Sequence, residues 1–93
     1  MIVSFRDRRT EKFWRQGTGR SLPADLRRVA MRNLKLVDDA AALRDLRVPP
    51  GNDLEELKGN RDGQHSIRIN WQYRVCFVWR DGNAHEVEIV DYH

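Results

Sequence analysis

Ser66-Ile67-Arg68-Ile69-Asn70-Trp71-Gln72-Tyr73-Arg74-Val75-Cys76-Phe77-Val78-Trp79, continuing through Arg80-Asp81-Gly82-Asn83-Ala84 into His85-Glu86-Val87-Glu88-Ile89-Val90, decides the fold. Runs rich in β-branched and aromatic residues alternate with short groups of turn formers, so strands are expected at Ser66 to Asn70, Tyr73 to Trp79 and His85 to Val90. Asn70-Trp71-Gln72 makes the first turn and Asp81-Gly82-Asn83 the second. A three-residue second turn sets Arg80 opposite Ala84 and Arg74 opposite Val90. Matching apolar partners across the first hairpin pairs Ile69 with Tyr73 and Ile67 with Val75, which leaves Arg68 opposite Arg74. Ile67, Val75, Phe77, Val87 and Ile89 then share one face, while Arg68, Arg74 and Tyr92 share the other.

Working outward, Ile2, Val3 and Phe5 suggest an N-terminal strand, and Asp7 can cap a short helix that begins at Arg8 and ends at Gly17-Thr18-Gly19. A second helix follows, with Ser21 as its cap and Pro23 and Asp25 in its first turn. Leu22, Leu26, Val29, Ala30, Val37 and Ala40 recur at helical spacing, and Arg27, Arg28, Arg32 and Lys35 fall largely on the opposite side. The apolar stripe reads as core, and the basic face as the part free to meet a ligand. Residues 41–65 read as a long connection anchored by Leu43 and Leu46 and broken by Val48-Pro49-Pro50-Gly51. The expected architecture is α+β: an N-terminal strand and two helices packed on an antiparallel sheet that ends in a three-stranded meander, all one domain over residues 1–93.

The 93 residues suffice for one modest core. No apolar run approaches the roughly 18 to 20 residues that span a bilayer, and Met1-Ile2-Val3-Ser4-Phe5-Arg6 lacks the apolar centre of a signal peptide, so a cytoplasmic protein with no membrane contact is expected. Cys76, between Val75 and Phe77, excludes an internal disulfide and reads as a buried small residue. The net charge of +3 is unevenly spread: residues 1–47 carry +6 and residues 48–93 carry −3. Most of the positive charge is arginine, whose planar fork suits phosphate oxygens.

Arg68 directly opposite Arg74 costs a few tenths of a kcal/mol or more in repulsion, which an anion would relieve. The plainer reading is that Glu88, on the same face, pairs with one of them. Asp91, Tyr92 and His93 end the chain with a carboxylate, a phenol and an imidazole, groups able to orient, stack and move protons near neutral pH. The three histidines reproduce no metal-ligand spacing and one cysteine cannot build a zinc site, so no metal and no cofactor is expected. Gly59-Asn60-Arg61-Asp62-Gly63 lacks the Gly-Lys-Ser/Thr ending of a phosphate loop and reads as a turn. The basic helix is not followed by the glycine turn and second helix of a helix-turn-helix DNA reader.

Leu57-Lys58-Gly59-Asn60-Arg61-Asp62-Gly63-Gln64-His65-Ser66-Ile67-Arg68-Ile69-Asn70, then Tyr73-Arg74-Val75-Cys76-Phe77 and the ending Val87 to His93, closely resemble the HigB toxins of the RelE-like superfamily. Met1 to Phe5, Leu43-Arg44-Asp45-Leu46 and Pro49-Pro50-Gly51-Asn52 extend the likeness over nearly the whole chain. The resemblance implies the toxin of a type II toxin–antitoxin system: an endoribonuclease that cuts messenger RNA in the decoding site of the small ribosomal subunit. It also implies a helix-turn-helix, HigA-like antitoxin as partner, through which operator DNA is met only indirectly. On this reading Arg74 and Lys58 neutralise the phosphate, Tyr92 stacks on or aligns a nucleotide, and His93 moves a proton, steered by Asp91. Arg68 joins Arg74 on the RNA, and Arg27, Arg28, Arg32 and Lys35 face ribosomal RNA.

The chain departs from the family pattern at three places. Glu55 stands where one branch has a histidine, which leaves open whether Glu55 or His93 with water is the base. His65 replaces an aromatic residue and Trp71 an aspartate. The alternative to an enzyme is a non-catalytic module that blocks translation or represses its own operator through the same positive surface.

Overall fold

Four antiparallel strands in chain order form the sheet, and two helices cover one of its faces. The computed structural model describes residues 1–18 and 22–92; the expected Ser21 cap and the role assigned to His93 lie outside the described residues. The helices are α1 (Arg8–Gln16) and α2 (Ala24–Asp39), and the strands are β1 (Glu55–Glu56), β2 (His65–Arg68), β3 (Tyr73–Arg80) and β4 (Asn83–Asp91). Gly17 closes α1 in the left-handed conformation, its amide donating to the Phe13 carbonyl at 2.7 Å. Phe13, Leu22, Ala30, Leu34 and Val37 pack against Ile67, Val75, Phe77, Val87 and Ile89 in one core cluster, so the apolar stripe and the inner sheet face meet as their spacing predicts.

Buried Asn33 breaks the apolar pattern of α2. Its side-chain amide donates to the Arg68 carbonyl at 2.8 Å, fastening the helix to the end of β2. A second tie comes from Thr10, whose hydroxyl accepts the Ile89 amide of β4 at 3.1 Å.

The first hairpin has the expected register, with Ile67 opposite Val75 and Arg68 opposite Arg74. The Asn70 side chain accepts the amides of Gln72 and Tyr73 at 2.9 and 2.7 Å, which closes the turn. The second turn is corrected. It has two residues, not three: Arg80 faces Asn83, and Asp81 and Gly82 take φ of 56° and 75°, the signs that a twisted two-residue hairpin requires. A bulge then restores the expected pairing, because Cys76 faces Glu88 while Val78 faces His85, which places one extra residue in β4. Arg74 therefore faces Val90 after all.

That bulge also explains why the expected N-terminal strand is absent. Ile2 and Phe5 make isolated parallel bridges to Ala84 and Val87, and the ladder between them is interrupted where Glu86 turns to φ 51°. The Glu86 amide is taken by the Ser4 hydroxyl at 2.9 Å instead of by a backbone carbonyl. The fourth strand of the sheet is β1, from within the expected connection, with Glu55 opposite Ser66. Around β1 the connection folds into short 3₁₀ turns at Leu43–Arg47, Pro50–Asn52 and Gly59–Arg61.

Candidate active site

The strand pairings lay three rows of residues across the face of the sheet turned away from the helices. Ser66, Cys76 and Glu88 form one row, Arg68, Arg74 and Val90 the next, and the Tyr92 amide donates to the Gln72 carbonyl at 2.7 Å to begin a third. The Tyr92 side chain runs back over the middle row, since its hydroxyl lies 3.8 Å from the Cys76 sulfur. Arg74 and Tyr92 therefore share a face, as strand alternation predicts.

Arg74 is buried, and its fork is held on several sides. Its Nε donates to the Ser66 hydroxyl at 2.7 Å, one terminal nitrogen lies 3.4 Å from the Asp53 carboxylate, and the other donates to the Asp53 carbonyl. A Glu55 oxygen stands 3.9 Å from the same guanidinium. Asp53 reaches this position through a left-handed turn, φ 47°, after the Pro50–Asn52 segment. The repulsion between Arg68 and Arg74 is thus offset by Asp53 and Glu55. Glu88 instead meets Arg6 at 3.2 Å and Arg61 at 3.6 Å.

Burial pushes the Cys76 thiol above its ordinary value, against the smaller lowering effects of the Tyr92 contact and of Arg61 and Arg74. The buried thiol stays protonated at neutral pH and is a poor nucleophile, in keeping with its reading as a structural residue. Burial also raises the Tyr92 phenol, the Cys76 contact adds to this, and the charges of Arg61 and Arg74 oppose it. Tyr92 is therefore a neutral phenol near pH 7, able to donate a hydrogen bond and to offer a ring for stacking.

Glu55, Arg74 and Tyr92 are brought to one face. Lys58 is exposed on the segment that leads from β1 into the Gly59–Arg61 turn, and Arg68 is exposed beside Arg74. Asp91, opposite Tyr73, accepts a hydrogen bond from the Gln72 side chain at 3.1 Å. Arg27, Arg28, Arg32 and Lys35 do not join this group, because α2 packs on the other face of the sheet. Arg27 is partly engaged at its own helix start, donating to the Leu22 carbonyl at 2.8 Å, and Arg28 and Arg32 line a depression of about 310 Å³ with Asp25 and Val29. Sequence reasoning missed Asp53, Ser66 and Arg61 as neighbours of the site. The parity of Ser66 with Arg68 could have revealed one of them. Among the described residues no three His, Cys, Asp or Glu side chains gather as metal ligands do, and no helix is long and apolar enough to cross a membrane.

The family model for the RelE-like toxin of the type II toxin–antitoxin system HigB matches residues 3–93. This chain belongs to the HigB-like toxins. It is 42% identical over 85 residues to the protein named Toxin HigB-1 from Vibrio cholerae serotype O1, spanning 90% of each chain. It is 31% identical over 94 residues to the Endoribonuclease HigB of Proteus vulgaris, spanning 100% of both. Among solved structures, a chain of the YoeB-YefM complex from Staphylococcus aureus matches with a TM-score of 0.61 and 20% identity, over 100% of this chain and 98% of that one. The HigB-like toxin, two helices on an antiparallel sheet, thus shares the α+β fold of that chain.

Proposed function

We propose that this HigB-like toxin is a ribosome-dependent endoribonuclease that cuts messenger RNA without a metal ion. The observation that carries the reading is the shared face of Arg74 and Tyr92, with Glu55 beside Arg74. The Proteus vulgaris relative, similar over its full length, is named an endoribonuclease, which supports the same chemistry here.

RNA supplies its own nucleophile, so the protein must align the strand, move two protons and offset charge on the phosphate. The 2′-oxygen attacks the adjacent phosphorus as Glu55 accepts its proton. The bond to the 5′-oxygen breaks as His93 donates a proton to it, leaving a 2′,3′-cyclic phosphate and a 5′-hydroxyl. Arg74 and Lys58 offset the charge on the phosphorane, Arg68 holds the neighbouring phosphate, and Tyr92 stacks on a base. Asp91 orients the terminal residues. The basic face of α2, across the sheet, leaves Arg28, Arg32 and Lys35 free for ribosomal RNA while the opposite face meets the message. A HigA-like antitoxin is the expected silencing partner, and it carries the contact with operator DNA.

Purified toxin added to ribosomes with a labelled message in the decoding site tests this reading. A cut message with a 2′,3′-cyclic phosphate end supports it; blocked translation on an intact message overturns it in favour of a non-catalytic module.

A further inference from the structure

Arg74 has few donors left for a ligand. Its side chain is 10% exposed, and Ser66, Asp53 and Glu55 surround its fork, so an incoming phosphate would have to displace a carboxylate. Arg61 differs. It sits on the Gly59–Arg61 turn with its side chain 30% exposed, and one terminal nitrogen serves both Gln64, at 3.2 Å, and Glu88, at 3.6 Å. Its Nε and other terminal nitrogen take no partner among the described residues, which leaves part of the fork open. Gln64 is buried and Glu88 is further fixed by Arg6 at 3.2 Å, so the arm is braced and not a loose surface side chain.

The position of Arg61 suits the same chemistry. Glu88 faces Cys76 across the strands, and Cys76 touches the Tyr92 hydroxyl, so Arg61 lies at the row where the phenol ends. Its charge acts on that phenol more strongly than the charge of Arg74 does. We infer that Arg61 is a catalytic residue whose free guanidinium edge binds the non-bridging oxygens of the scissile RNA phosphate, with Gln64 and Glu88 as its positioning residues. Arg74 then contributes chiefly a fixed charge, and Arg61 the directed hydrogen bonds. This inference rests on the nuclease reading above.

Single-turnover cleavage of a ribosome-bound message by the unaltered toxin, Arg61→Ala and Arg61→Gln tests it, with ribosome binding and thermal melting measured alongside. Loss of a preorganised donor to a developing oxyanion costs about 100- to 1,000-fold in rate. A loss of that size is expected in both variants, with binding within about threefold of the unaltered toxin. Millimolar guanidinium ion should restore part of the Arg61→Ala rate, which a purely structural role would not allow. Cleavage by either folded variant within twofold of the unaltered toxin, or a slow variant that guanidinium leaves unchanged, overturns the assignment. Absence of cleavage by the unaltered toxin instead removes the nuclease reading, and this inference with it.

Discussion

The Cys76 sulfur and the Tyr92 hydroxyl lie 3.8 Å apart, a contact that joins the middle of the sheet to the penultimate residue of the chain. It holds the phenol over the row that contains Arg74. Burial raises both groups, so the contact is between neutral partners at physiological pH. Two consequences can be measured.

Cys76 should resist thiol reagents in the folded toxin at pH 8 and react promptly in denaturant, because only the thiolate attacks and burial disfavours it. Timed labelling with an aromatic disulfide reagent reads this directly. Equal rates in the two states would contradict the burial argument.

Tyr92 should titrate above its ordinary value, and Cys76→Ala should bring it down by removing a contact that favours the neutral phenol. The sign for stability follows: the raised group favours the fold below its unfolded value near 10, and that contribution disappears as the pH climbs through the folded value. Ultraviolet titration of phenolate absorbance, compared with a Tyr92→Phe control, follows the group itself.

Arg74→Lys should destabilise the fold by about 1–3 kcal/mol although it keeps the charge, since a lysine cannot reproduce the fork that holds Ser66 and Asp53 together. The shift should appear in the urea midpoint at constant slope. Loss of toxicity in an Arg74 variant therefore needs a stability measurement beside it.

Asn33→Leu should cost about 1–3 kcal/mol despite the apolar surroundings of Asn33, because it strips the part-buried Arg68 carbonyl of its side-chain donor. Gly82→Ala should cost about 1 kcal/mol purely through its φ of 75°, since the added methyl meets nothing within 4 Å. Thermal melts of the two variants separate a buried polar tie from a turn constraint.

The arrangement of Arg68, Arg74 and Tyr92 was legible because strand alternation is strict and the apolar pairs Ile67–Val75 and Ile69–Tyr73 match in one register only. The details of the second hairpin were not. Asp81-Gly82 has the chemistry of a two-residue turn, but the compensating bulge falls at Glu86, a residue type with no preference for positive φ. The shorter turn and the bulge offset one another, so Arg74 still faces Val90. The same bulge divides the pairing of Met1 to Arg6 into separate bridges, so a segment with strand-like composition does not make a strand. Glu55-Glu56 has no strand pattern of its own and pairs only because β2 offers an edge. Two of the contacts of Arg74 and Arg61 are non-local: Asp53 reaches Arg74 through a left-handed turn, and Glu88, which meets Arg61, lies on a strand far along the chain. Neither contact leaves a mark in local sequence.

The sheet face of Arg74 and Tyr92 as an RNA-cutting surface is tested most directly in growing cells. Transcript 5′ ends would be mapped after induction of the toxin and of Tyr92→Ala, with the folded state of both checked by melting. The account predicts new 5′-hydroxyl ends inside translated frames with the unaltered toxin, and their loss with the variant. Arrested translation with no new ends, or an unchanged set of ends with Tyr92→Ala, would contradict it.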